Sequence, residues 1–338
     1  MNLQEIRQEA RRKLAPVCSV CPVCDGVVCA GKIPGVGGAG TGASFKNNIA
    51  ALAAYRLNMR TLHAVSDPAL SVSLFGRQLA MPILGGAVAG ANMNFNAALT
   101  EKELAWAVVA GSREAGTLTM TGDGPDPTLF EAGLQAIARA GGHGIPIIKP
   151  RPLADIVERA RRAVAAGAVA VGIDVDAAGL LPMKRSGQPV GPKPLPELRE
   201  LVSSLDVPLV FKGIMTADEA EVAVAAGAGA IVVSNHGGRA LDHLPGTAEV
   251  LPEIARAVKG RITILADGGV RAGVDVLKML ALGADAVLVG RPLAVTAVGG
   301  GPEGVTTLYR HLADELCTAM VLTGCASPVQ AGPFLLRR

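Results

Sequence analysis

The stretch VVSNHGGRALDH, residues 232–243, ends an apolar run on Ser234 and His236, drops its side chains at Gly237 and Gly238, and then places Arg239. A plain turn would account for this, because Asn and Gly tolerate positive φ. The other reading is chemical, since imidazole gains and loses a proton near neutral pH. Other apolar runs stop in the same way. Gly85, Gly86 and Ala87, Thr119 and Thr121, Lys149, Asp174 and Asp176, Lys212, Asp267 with Gly268 and Gly269, and Gly290 with Arg291 all stand at such ends. Two glycine turns, ADGGVRAG (266–273) and VGRPLA (289–294), lead into helical patterns and carry Arg271 and Arg291. Backbone N–H groups at a helix start, with no Cβ in the way, make a seat for phosphate. Arginine adds charge-assisted bonds. Ordinary strand-to-helix turns are the plainer alternative.

Something must bring these ends together. AAGAVAVGIDVD (165–176), AAGAGAIVVSN (225–235) and ALGADAVLVGR (281–291) share one form: a helix end, a glycine suited to a left-handed cap, then an apolar strand. REAGTLTMTG (113–122) is a looser copy. Between them lie MPILGGA (81–87), IPIIKP (145–150), VPLVFKG (207–213) and ITILADGG (262–269), most opened by a proline, which a strand tolerates at its first position. Interleaved, the two sets predict eight strands alternating with helices, which is the pattern of a (β/α)8 TIM barrel. A doubly wound open sheet is the runner-up. In a barrel the active site forms at the C-terminal ends of the strands, and phosphate commonly sits after strands seven and eight. The polar ends above all fall on that rim.

Composition bounds the partners. The chain has 338 residues, half of them apolar, with few aromatics. Its net charge of +3 is too small to point to nucleic acid or an anionic membrane. Its apolar runs are too short to span a bilayer. The charged opening MNLQEIRQEARRKLAP lacks the apolar stretch of a secretory signal. The expectation is a cytoplasmic protein, in which disulfides are not the default state of the six cysteines.

VFKGIMTADEA, VVSNHGGRALDH and ADGGVRAGVDVLKMLALGADAVLVGRP, in that order and spacing, resemble the FMN-dependent α-hydroxy-acid oxidase and dehydrogenase family, which includes glycolate and lactate oxidases. The resemblance is strong from 207 to 292 and traceable back to about 45. It implies bound FMN and oxidation of a small L-2-hydroxy acid to the 2-oxo acid. It implies that His236 is the active-site base and that Arg239 holds the substrate carboxylate. Lys212 corresponds to the lysine beside the flavin N1–C2=O edge, where its charge favours the anionic reduced flavin. Asp176 corresponds to the aspartate that pairs with the histidine; a helix N-cap is the other reading, and Asp174 is the alternative carboxylate. The expected flavin-binding set is Gly86, Ala87, Thr119, Thr121, Lys149, Asp174, Lys212, Ser234, His236, Gly237, Asp267, Gly268, Gly269, Arg271, Gly290 and Arg291. Relatives form homo-oligomers, so one is expected here.

The chain also departs from the family. Of the two family tyrosines, neither has a counterpart in place: the only tyrosines are Tyr55 and Tyr309, and strand three ends in Lys149 and Pro150. The second carboxylate-binding arginine could be Lys184 or Arg185. The loop after strand four reads as short. An isomerase of the isopentenyl diphosphate type and a non-catalytic flavin-binding barrel therefore stand as alternatives. The sequence names neither the hydroxy acid nor the electron acceptor. His243 shares the strand-six loop, and His63, His143 and His311 have no motif around them.

Residues 1–44 are expected to form a helix and a Cys/Gly-rich segment ahead of a barrel over 45–338. Cys18, Cys21, Cys24 and Cys29 have the spacing C-x2-C-x2-C-x4-C, close to a ferredoxin-type run but with a longer last gap. An iron–sulfur cluster, a zinc ion, or redox-active or structural thiols all fit that spacing. The following GKIPGVGGAGTGASF (31–45) reads as a loop that could close over the barrel mouth. Cys317 and Cys325 read as packing residues in the C-terminal helical region.

Overall fold

The structure, a computed structural model, describes residues 1–32 and 36–338. Eight parallel strands close into a barrel: β1 (Ile83–Val88), β2 (Thr119–Thr121), β3 (Ile145–Ile148), β4 (Val171–Asp174), β5 (Leu209–Ile214), β6 (Ala230–Val233), β7 (Thr263–Ala266) and β8 (Ala286–Val289). Each strand pairs with its sequence neighbours, and β8 returns to β1 through Val287–Ile83, Leu288–Leu84 and Val289–Gly85. The (β/α)8 expectation holds, and every predicted apolar run supplies one strand.

Strand alternation divides the core in two. Leu84, Met120, Ile145, Ile147, Val210, Val232, Leu265 and Leu288 point inward and fill the barrel. Ile83, Ile148, Ile173, Phe211, Ile231, Val233, Ile264 and Val289 point outward and meet the helices. Truncating one such buried leucine or isoleucine to alanine would cost about 2–5 kcal/mol. A hairpin formed by Val72–Leu74 and Arg77–Leu79 turns at Phe75 and Gly76, whose φ values of 51° and 70° suit a two-residue primed turn. It places Leu74 and Leu79 in the inner core, plugging the end where the strands begin.

Two N-terminal helices flank the opposite rim. Helix α1 (Leu3–Leu14) starts with an Asn2/Glu5 capping box and buries Ile6, Ala10 and Leu14 at a spacing of four, against the long helix Arg291–Thr323. Helix α2 (Ala43–Ala53) packs against the loop after β6. Tyr55 lies just beyond α2, and its hydroxyl accepts a bond from Arg338. No helix among the described residues is long and apolar enough to cross a membrane.

Candidate active site

The ends of β4, β5 and β6 meet in one buried cluster. His236 follows β6 with φ at 58°, a left-handed backbone that aims its ring across the rim. Its Nδ1 lies 2.9 Å from Asp176 Oδ1 and 3.5 Å from Asp174 Oδ1. Asp174 accepts bonds from Lys149 Nζ at 2.5 Å and Lys212 Nζ at 2.9 Å. Burial alone would push Asp174 up. The charges of His236, Lys149 and Lys212 outweigh it and hold the carboxylate well below its usual range. Burial likewise opposes the charge on Lys212, but Asp174, Asp176 and Asp267 raise it instead. Asp176 keeps Oδ2 buried with no hydrogen-bond partner among the described residues, 3.9 Å from Lys212 Nζ. Asp174, Asp176 and His236 could offer three ligand atoms to one ion. Two ammonium groups already occupy Asp174, so the cluster suits a moving proton better than a metal.

Beside it opens a cavity walled by Gly86, Ala87, Lys212, His236, Gly237, Arg239, Asp267, Gly268, Gly269, Arg271, Gly290 and Arg291. Its arginines bond to neutral acceptors. Arg239 donates to Asn94 Oδ1, Arg291 to the carbonyls of Val36 and Gly237, and Arg271 to those of Cys24 and Val270. Arg271 Nη2 is buried without a partner among the described residues. Burial lowers Arg239, and burial followed by the charge of Arg271 pulls Arg291 down to about 9. A cavity that crowds cations this closely asks for an anion. Burial also raises Asp267, despite Lys212 nearby and a bond from Ser234.

The two glycines after His236 now have a reason. A Cβ on Gly238 would lie 2.4 Å from the backbone nitrogen of Phe45, so only glycine lets α2 start there. A Cβ on Gly237 would lie 2.6 Å from Arg291 Nη1. The close approach serves α2 and Arg291, elements of the protein itself. Phe45 in turn sits flat under Arg291, 3.6 Å from the guanidinium carbon to the ring centre. Asp242 accepts from the backbones of Thr41 and Ala43, and Ala39 donates to Gly238. Residues 39–43 of the glycine-rich segment thus lie at the mouth, and Val36 lines the cavity. Its Ile33, Pro34 and Gly35 are outside the described residues.

Five members of the expected flavin-binding set stand elsewhere. Lys149 and Asp174 lie behind Lys212, in the ion cluster. Ser234 is fully buried and links Asp267 to the His236 backbone. Thr119 and Thr121 are buried on β2, packed toward Gly85 and Gly133. Lys184 and Arg185 are exposed on a short helix, Leu181–Arg185. The β4 loop runs through 175–194 and is pinned by Gln188, which bonds Arg151 and Pro125. Tyr309 is fully buried against Ser112, away from the cavity. His243 is exposed beside Asp242. Sequence reasoning missed Asp123, whose carboxylate takes two bonds from Arg151 at 3.0 Å and one from the Lys149 backbone. The signal was present as TGDGP after β2 and KPRP after β3.

The cysteine loop touches a wall of the same cavity where Arg271 donates to the Cys24 carbonyl. All four thiols are half-buried and free. Burial first, then the neighbouring sulfurs, push Cys18 and Cys29 up.

Comparison with known proteins agrees with this geometry. The chain is 35% identical to a 4-hydroxymandelate oxidase of Amycolatopsis orientalis over 331 residues, covering 86% of this chain and 89% of the relative. It is 32% identical to an L-lactate oxidase of Lactobacillus jensenii, covering 83% and 75%. A mandelate oxidase crystal structure superposes with a TM-score of 0.82 at 33% identity, covering 99% of this chain and 98% of that one. These likenesses favour the oxidative reading over an isomerase or a non-catalytic barrel. Residues 36–189 and 192–338 match the FMN-dependent dehydrogenase family, and the chain belongs to that family.

Proposed function

We propose that this chain oxidises a small L-2-hydroxy acid to its 2-oxo acid with bound FMN, His236 taking the proton. The supporting observation is the 2.9 Å pairing of His236 Nδ1 with Asp176, set beside a cavity whose arginines, among the described residues, bond to neutral acceptors. The residues fit the cofactor. The unpartnered Arg271 Nη2 and the depressed Arg291 call for a phosphate, and the glycine walls leave room for a flat ring system. Arg271, Arg291 and the turns at Gly268, Gly269 and Gly290 would hold the phosphate end, and Lys212 would face the ring. When bound, the flavin supplies the two-electron acceptor.

The chain supplies the rest. Arg239, half-buried and held by Asn94, orients the substrate by its carboxylate. Asp176 holds the Nδ1–H, which leaves Nε2 to receive the proton. The imidazolium that forms is stabilised by Asp176 at once and by Asp174 behind it. Lys149 and Lys212 keep Asp174 ionised, so the negative charge facing the ring is present before the proton arrives. Iron–sulfur or zinc binding at the four cysteines is a separate proposal, because the hydroxy-acid chemistry does not require it. A homo-oligomer and a cytoplasmic location belong to this reading, and the unpaired cysteines fit a reducing compartment.

The test is anaerobic mixing of the flavin-loaded protein with L-lactate, glycolate or L-mandelate. Bleaching of the flavin band with formation of the 2-oxo acid supports the proposal. A flavin that stays oxidised with every member of a broad 2-hydroxy-acid panel refutes it.

A further inference from the structure

The loop Cys18–Cys29 is folded the wrong way round for an apolar loop. Of its four valines only Val20 is buried; Val23, Val27 and Val28 are 66%, 61% and 54% exposed, while all four cysteines turn partly inward. A loop ordered by burial of its own hydrocarbon would do the reverse. Val20, a β-branched residue, adopts φ 43° and donates its N–H to Cys18 Sγ at 3.4 Å. That strained turn spends a backbone donor on a sulfur, which favours the thiolate. The other three sulfurs all act electrostatically on Cys18.

The surroundings suit a negatively charged centre. Arg7 donates to the Cys21 carbonyl, Arg11 to those of Ser19 and Val20, and Arg271 to that of Cys24. Arg291 lies within electrostatic reach of Cys24 and Cys29. One acid, Asp25, lies within the loop, and it caps the Val27 N–H.

We propose that Cys18, Cys21, Cys24 and Cys29 bind a [4Fe–4S] cluster, and that the cluster fixes the loop carrying the Cys24 carbonyl against Arg271. Among the described residues, no three of these sulfurs lie within 4.8 Å of one another. A tetrahedral zinc ion with bonds of about 2.3 Å would draw its thiolates to roughly 3.8 Å apart. The three arginines that hold the loop by its carbonyls, Arg7, Arg11 and Arg271, resist that contraction. A cubane is larger and holds its thiolates farther apart, and its usual run begins with the same C-x2-C-x2-C spacing. Binding is ligand exchange without redox change: each thiol loses its proton, its thiolate forms one iron–sulfur bond, and the thiolate or water that held that iron leaves. The site lies 247 residues in sequence from Arg271, yet their direct bond couples it to the cavity.

The test uses the full chain purified without oxygen, with iron, acid-labile sulfide and zinc measured per chain. The proposal expects about four iron and four sulfide, and an EPR signal after dithionite reduction. Changing all four cysteines to serine should abolish the iron, and Cys317→Ser should keep it. If the fourfold variant does not fold, Cys29→Ser alone should lower the iron and alter the EPR signal. FMN should dissociate about tenfold more readily from the cluster-free chain, as when an outer support of a binding site is lost. Metal content is read independently of flavin, so a chain that holds iron but does not oxidise hydroxy acids overturns the function above and leaves the cluster standing. One zinc per chain without iron overturns the cluster. So does a chain that stays metal-free after anaerobic incubation with sulfide and equal amounts of ferrous and ferric iron.

Discussion

Replacing Asp174 with asparagine probes the buried ion cluster directly. Its carboxylate is 2% exposed and accepts from two lysines, Lys149 at 2.5 Å and Lys212 at 2.9 Å. Asp174→Asn would keep the shape but leave two ammonium groups facing a neutral amide, with Asp176 as the nearest remaining anion, 3.9 Å from Lys212. Breaking a buried pair from one side costs about 3–5 kcal/mol. At about 2.1 cal/mol/K per residue, 338 residues give an unfolding entropy of roughly 0.7 kcal/mol/K. Tm at pH 7 should therefore fall by about 4–7 °C. The pH dependence has a definite sign. The folded pKa of Asp174 lies well below its unfolded value of about 3.9, so its contribution is fully present above that value and fades as pH falls through the folded pKa. The gap between wild type and variant should be constant from pH 6 to 8 and shrink below about pH 4. Thermal melts of Asp174→Asn, Lys149→Met and the double variant give the coupling. Removing both partners should cost about 1–3 kcal/mol less than the sum of the singles. A variant within about 1 kcal/mol of wild type at pH 7, with additive singles, would show that the lysines do not depend on Asp174.

Two further substitutions separate the roles of the cavity arginines. Arg239→Lys should raise KM for the hydroxy acid by at least about tenfold, since a point charge replaces a two-pronged grip; steady-state kinetics checks this, and an unchanged KM would remove Arg239 from substrate binding. Arg291→Ala removes a half-buried cation from the glycine end of the cavity and should weaken FMN retention by about tenfold or more. Equilibrium dialysis of the flavin measures it, and undiminished retention would move the phosphate elsewhere.

How far the sequence could be read depended on what kind of information each feature needs. The eight strands were legible because each is a short apolar run closed by a polar or glycine residue, and a parallel strand buried on both faces leaves no other trace. Rim position was legible for the same reason. Depth was not. Lys149 and Asp174 end their strands like Lys212, yet they sit behind it, because the pairing of β3, β4 and β5 turns them toward one another. Thr119 and Thr121 fell to the same ambiguity. Gly238 is the place where α2 meets the β6 loop, a contact between residues nearly two hundred positions apart that no local pattern marks. Asp123 and Arg151 were invisible as a pair because two separate loops supply them. The hairpin at Val72–Leu79 was too short for a periodic signal, although Phe75-Gly76 marks its turn.

The account rests on His236 as the group that takes the substrate proton. The most direct measurement is the rate of anaerobic flavin reduction by the best 2-hydroxy acid, compared between wild type and His236→Ala at equal flavin content. The account predicts full FMN occupancy in the variant and a reduction rate lower by at least about two orders of magnitude. A variant that holds its flavin and is reduced at the wild-type rate would contradict it.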